Sequence, residues 1–225
     1  MSDHVHGGSE PGTDDAEGGT APPRPGLAAF DFDGTLARCD TLVPFLRHMR
    51  GTPRVVAATA LAAVRSRDRD QLKVATIGHL FRGVPADRLD AQGRAYAGTL
   101  VELLRPEMLE RVRWHQTEGH AVVIVSASLG AYLRPLADEL GLDAALAVEL
   151  VTGADGCLTG SVVGQLNTRG PEKVARLRTW AAERFGAASE FELWAYGDSA
   201  GDEDLLALAD HPTWVGRRAT GAAAT

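Results

Sequence analysis

At residues 31–35 the chain reads Asp-Phe-Asp-Gly-Thr, directly after the apolar run Leu27–Phe30. An apolar run of strand length broken by Gly34 predicts a buried strand ending in a turn. Side chains two apart on a strand share a face, so Asp31 and Asp33 point the same way. Neighbouring carboxylates repel each other, and the pair persists only where a cation, a phosphate-binding site or a shared proton stabilises it. Taken alone, the stretch could also be a solvated Asp-Gly turn. Any fold for this chain must bury Leu27–Phe30 and deliver both aspartates together at its end.

Downstream the pattern turns helical. Leu42, Phe45, Leu46 and Met49 recur at i, i+3, i+4 and i+7, giving one apolar stripe, and Gly51 with Pro53 ends that helix. Val55 to Val64 is apolar almost all round, too short to cross a bilayer, and reads as a helix buried in a bundle. Leu72 to Phe81 and Leu89 to Leu104 give two further helices, so residues 39–104 form an all-helical insert after the aspartate pair.

From Pro106 strands and helices alternate. Val122–Val125 reads as a buried strand leading into Ser126-Ala127-Ser128, and helix 130–140 follows. A short strand at Ala145–Val148 comes next. Gly153-Ala154-Asp155-Gly156 then makes a hairpin turn between two short runs. A helix over Pro171–Phe185, a strand at Leu193–Tyr196, a short helix to about Ala209 and a last strand near Trp214-Val215 complete the order. This rhythm predicts an α/β, doubly wound (Rossmann-like), mostly parallel sheet with an inserted all-helical cap domain. Its polar sites belong at the strand carboxyl ends. The expected organisation is a disordered tail over 1–26, an α/β core over 27–38 and 105–216, a cap over 39–104 and a frayed tail over 217–225.

A net charge of −7 supplies no basic excess for neutralising phosphates, which argues against nucleic acid as a partner. Cys39 and Cys157 are the two cysteines, far apart and without metal-type spacing, which suits a reducing compartment. The N-terminal stretch lacks the basic start and apolar segment of a secretory leader, and no run is long enough to span a membrane, so the expected address is the cytoplasm.

Six polar or charged side chains fall where strands end and helices begin: Asp31 and Asp33, then Ser126, then Lys173, then Asp198 with Asp202. Singly, each has a plain alternative. Ser126 could cap a helix, Lys173 could be a solvated helix charge, and Asp198 with Asp202 could cap and charge a first turn. The plain readings do not explain why the set comes in this order on one predicted sheet rim.

The set resembles the four signatures of the haloacid dehalogenase (HAD) superfamily, in its phosphoserine-phosphatase-like branch (subfamily IB). Asp31-Phe32-Asp33-Gly34-Thr35-Leu36 is similar to the first signature and Ser126 after its apolar strand to the second. Lys173 in Gly170-Pro171-Glu172-Lys173 is similar to the third, and Gly197-Asp198-Ser199-Ala200-Gly201-Asp202 to the fourth. The resemblance covers about residues 27–216.

It implies a magnesium-dependent phosphatase of small phosphomonoesters. Asp31 would be the nucleophile, forming an aspartyl-phosphate, and Asp33 the general acid and base. Ser126 and Lys173 would bind the phosphoryl group. Asp31, the Asp33 carbonyl and Asp198 would hold Mg2+, with Asp202 orienting a metal-bound water or Lys173. Asp40 stands where the branch has a Glu that reads the substrate amine, and Ile77 where it has a cap Arg, so the resemblance does not carry phosphoserine over as substrate. Asp40 is instead expected to select the leaving group. Two alternatives stay open: a phosphotransferase or mutase on the same fold, and a phospho-accepting receiver-like signalling domain.

Overall fold

The computed structural model describes residues 24–64, 69–163, 170–187 and 190–216; the expected tails lie almost wholly outside them. Five parallel strands make the main sheet: β1 (Gly26–Phe30), β2 (Ala121–Leu129), β3 (Ala144–Val148), β6 (Glu192–Gly197) and β7 (His211–Trp214). They lie in the order β3-β2-β1-β6-β7. The chain grows from β1 towards β3 on one side and then crosses to β6 and β7 on the other. The reversal falls between β1 and β6, where the crevice beyond the carboxyl ends of an open α/β sheet takes its ligand.

Alternation along the strands divides the core in two. Ala28, Phe30, Val122, Ile124 and Tyr196 share one apolar cluster, which also holds residues of α5 (Pro106–Thr117) and α6 (Gly130–Glu139). Leu27, Ala29, Val123, Val125, Leu193 and Ala195 face the other, with α7 (Pro171–Phe185) and α8 (Glu203–Leu208). The apolar run read at β1 and β2 is thus covered on both faces, as a central parallel strand must be.

Between β1 and β2 the chain folds into four helices: α1 (Leu42–Arg50), α2 (Thr52–Ala63), α3 (Arg69–Phe81) and α4 (Ala86–Leu100), then a short 3-10 turn at Val101–Leu103. The predicted helix to Leu104 therefore ends four residues early. Where the insert enters and leaves, Arg38 N–H donates to the Leu103 carbonyl at 3.0 Å and Arg105 N–H to Leu36 at 2.8 Å, forming a two-chain neck. The hairpin of β4 (Leu150–Thr152) and β5 (Leu158–Val162) reaches the same insert, for Gly83 N–H donates to Leu158 and Leu158 N–H to Val84, both at 2.8 Å.

One expectation is corrected here. Residues 55–64 are not buried all round: Val55, Ala58 and Ala62 are buried, whereas Val56 is 59% and Val64 84% exposed. Alanines leave the helix apolar on every side without requiring burial on every side.

Candidate active site

Asp31 follows β1 directly, and its N–H donates to the Tyr196 carbonyl at 2.9 Å, so the β1–β6 ladder carries on into the site. The chain then turns tightly, with Thr35 N–H on the Phe32 carbonyl (3.2 Å) and Leu36 N–H on the Asp31 carbonyl (3.3 Å). Gly34 is required there twice over. Its φ is +87°, and a Cβ on it would lie 2.2 Å from Asp198 Oδ2.

Lys173, from the first turn of α7, is 2% exposed and donates from Nζ to Asp31 Oδ1 and Asp202 Oδ1, each at 2.6 Å. A solvated role for this lysine is thereby excluded. Burial alone would lower its pKa, but the two flanking carboxylates outweigh that and hold the ammonium charged. Burial pushes Asp31 up to about 6 against the opposing pull of Lys173. Lys173 engages Asp31 Oδ1, and among the described residues Asp31 Oδ2 accepts no hydrogen bond.

Asp202 is saturated. Besides Lys173 on Oδ1, its Oδ2 accepts from Ser199 N–H at 3.0 Å, Ser199 Oγ at 2.8 Å and Asp198 N–H at 3.3 Å. Burial pushes its pKa up, yet Lys173 and these donors hold it below the usual carboxylate range. Asp202 thus does both things the sequence allowed, closing a helix-start capping box and fixing the lysine.

Asp33 is gripped by different partners. Its Oδ1 accepts from Thr41 N–H (2.8 Å) and Thr41 Oγ1 (2.6 Å), and its Oδ2 from Ser128 Oγ at 2.5 Å. Burial raises its pKa, and the Ser128 and Thr41 donors oppose the rise. Tyr132 OH lies 3.2 Å from Thr41 Oγ1, and Tyr96 OH donates to the Thr41 carbonyl at 3.0 Å, so a buried network ties Asp33 to the start of α1.

Ser126 lies inside β2 and caps no helix. Its Oγ accepts from Ser128 N–H at 3.1 Å, which leaves its own proton to give. Asp31, Asp33, Ser126, Lys173, Asp198 and Asp202 all line one cavity of about 800 Å³. Asp40 lines it too, from an exposed position where its Oδ1 accepts from Val43 N–H, in the first turn of α1, at 3.2 Å. Thr41, Ser128 and Tyr132 were not read from the sequence. Ser128 carried a usable signal, because residues two apart on a strand share a face and Ser126 was already chosen.

Four carboxylates gather here around one ammonium, an excess of negative charge that calls for a cation. Oxygens of Asp31, Asp198 and Asp202 come within 4.8 Å of one another. Among the described residues Asp198 Oδ1 is buried without a hydrogen-bond partner, and burial followed by the nearby Asp202 raises its pKa. An orphaned buried carboxylate oxygen beside Asp31 fits a hard divalent cation. Asp202, with both oxygens engaged, has little left to offer one.

The model of the haloacid dehalogenase-like hydrolase family matches residues 28–207, a span that holds every residue of this cluster. The chain belongs to that family. The hydrolase is 37% identical over 193 residues to Protein CicA of Caulobacter vibrioides, covering 83% of this chain and 84% of that one. It is 25% identical over 199 residues to a histidinol-phosphatase of Neisseria meningitidis serogroup C, covering 84% and 89%. Its fold is similar to a solved phospho-aspartyl intermediate analogue of phosphoserine phosphatase, with a TM-score of 0.56, 23% identity, and 83% and 84% of the two chains covered. Among the described residues of the hydrolase no helix is long and apolar enough to cross a membrane.

Proposed function

We propose that this hydrolase is a magnesium-dependent phosphatase that cleaves small phosphomonoesters through a phosphoryl group carried on Asp31. The observation that carries the reading is the unequal treatment of the two aspartates. Lys173 holds one oxygen of Asp31 and leaves the other clear, while Thr41 and Ser128 hold both oxygens of Asp33.

Asp31 Oδ2 attacks phosphorus, the bond from phosphorus to the ester oxygen breaks, and Asp33 gives that oxygen its proton. Water then attacks the same phosphorus, Asp33 takes the water's proton, and the bond to Asp31 breaks to free phosphate and restore the carboxylate. Burial favours the protonated form of Asp33 for the first half, and its three donors stabilise the carboxylate needed for the second. Lys173 and the Ser126 hydroxyl bind phosphoryl oxygens and orient them. Mg2+, held by the Asp31 side chain, the Asp33 carbonyl and Asp198, would neutralise charge on the transferring group when bound. Asp202 acts through Lys173. Asp40, on the cavity wall, faces the leaving group and takes no part in the phosphoryl chemistry. The histidinol-phosphatase relative supports a phosphomonoester as the substrate class.

Purified protein should hydrolyse an aryl phosphate with Mg2+, fall silent in excess chelator, and recover with Mg2+ better than with Ca2+. Asp31→Asn should remain folded and inactive. Turnover at the wild-type rate by folded Asp31→Asn, or in excess chelator, would refute the reading.

A further inference from the structure

The cavity is much larger than phosphoryl chemistry needs. At about 800 Å³ it falls in the upper part of the roughly 300–1,000 Å³ range of small-molecule sites. Its floor is the carboxylate and lysine cluster, and its far wall comes from α1, α2 and α3.

That wall has a chemistry of its own. On α2, Val56, Thr59, Ala60 and Ala63 line the cavity at i, i+3, i+4 and i+7, a single helical stripe, while Ala58 and Ala62 on another face are buried. Leu46 and Leu72 continue the apolar lining from α1 and α3. The two hydroxyls on the wall are bound back to their own helices: Thr59 Oγ1 donates to the Val55 carbonyl at 2.9 Å, and Thr76 Oγ1 to Leu72 at 2.8 Å. Their protons are spent, so the wall offers a ligand mainly methyl and methylene groups.

The charged groups of the cavity stand beside the α2 stripe and not on it. Asp40 accepts from the start of α1, and Lys73 Nζ donates to the Ala127 carbonyl at 2.6 Å, across the cavity on β2. Arg47, exposed in the last turn of α1, sits at the rim. A leaving group rich in amines, carboxylates or hydroxyls would be desolvated against the α2 stripe with little there to replace its water.

We propose that the insert wall is a binding site for an aliphatic leaving group, so that the substrate is the phosphomonoester of an alcohol with an extended apolar body. This rests on the phosphatase reading for the phosphoryl half of the cavity. The occupant is a substrate and not a protein or membrane surface, because the stripe shares one cavity with the catalytic carboxylates. An apolar body bound there is continuous with the phosphoryl group over Asp31.

The test is a homologous series of ethyl, butyl and hexyl phosphate, with aryl phosphate, phosphoserine and histidinol phosphate alongside. Burying a methylene fully is worth about fourfold, so half-burial still gives roughly tenfold in kcat/KM from ethyl to hexyl phosphate. Ala60→Gln, a substitution an α-helix accepts, should lower the hexyl-to-ethyl ratio about fivefold or more. Calorimetry with ethyl- and hexylphosphonate reads the wall without turnover, and the hexyl compound should bind tighter. A flat series on an enzyme that turns over aryl phosphate, a preference for phosphoserine or histidinol phosphate, or an Ala60→Gln ratio equal to wild type would overturn the wall's role and leave the phosphatase standing. An inert protein would refute the phosphatase reading, and equal phosphonate affinities would then remove the apolar site as well.

Discussion

Asp33 receives three hydrogen bonds from two residues that are 87 positions apart in the chain, Thr41 at the neck and Ser128 at the end of β2. Each stabilises its carboxylate against a burial that favours the acid. Removing the Ser128 donor raises the pKa of Asp33 further and, on the proposed mechanism, leaves less of the base that activates water. An aryl leaving group needs little protonation, so with an aryl phosphate the loss falls on the second half of the reaction. Ser128→Ala should lower kcat about tenfold or more, as expected for a charge-assisted bond of about 1.5–3 kcal/mol, and steady-state kinetics with circular dichroism would show it. An unchanged kcat in a folded variant would mean the bond plays no part. Most of the cluster was legible because each member stands beside a local sequence event: the end of an apolar run for Asp31, Ser126 and Asp198, a helix start for Lys173. Thr41 and Tyr132 announce nothing locally. The contact between them, through which Tyr132 backs the Thr41 that holds Asp33, exists only once α1 and α6 have been brought to the same rim.

Among the elements, α5 is fastened to the sheet through a buried histidine. His115 Nε2 lies 2.9 Å from Tyr196 OH on β6 and its Nδ1 2.8 Å from His120 Nδ1, with the Phe30 ring edge-on to it. Trp114 and Trp194 close the ring contacts, and Arg111 is the other charge nearby. Burial first, then His120 and Arg111, lowers the pKa of His115 to about 3, against about 6.5 in an unfolded chain. Between those values the unfolded state holds a proton that the folded state does not. The group's stability is therefore complete above about pH 6.5 and is lost as the pH falls, at up to about 1.4 kcal/mol per unit. Urea unfolding should show the advantage of wild type over His115→Gln shrinking by about 2 kcal/mol from pH 7 to pH 5; parallel curves would contradict it. Carboxylates such as Asp31 titrate in both proteins and cancel in the difference. Period and turn chemistry located most of the elements, including α1, α7 and the β4–β5 hairpin. They could not tell which face of the alanine-rich α2 is covered, because small side chains are compatible with either. Nor could they reveal that the hairpin pairs with Gly83 and Val84 of the insert, a contact between segments more than 70 residues apart.

At the scale of the whole molecule, the sheet's reversal sets the place of the carboxylate cluster and the insert lines the same cavity. β1 and β6 deliver Asp31 and Asp198 to one crevice, α7 brings Lys173 over it, and the neck at Arg38 and Arg105 begins a few residues past Asp33. The insert is tied to the core at that neck, at the hairpin and through Lys73 on the Ala127 carbonyl, so its apolar wall is held over the carboxylates. The central claim is that the phosphoryl group passes through Asp31. An Asp33→Asn variant given aryl phosphate and Mg2+ should still form the adduct, since that leaving group departs without a proton, but should break it down slowly for want of a base. Acid-quenched samples analysed by peptide mass spectrometry should then gain one phosphoryl group on the peptide containing Asp31, and Asp31→Asn should gain none. A phosphoryl group found on another residue, or equal labelling of Asp31→Asn, would contradict the account.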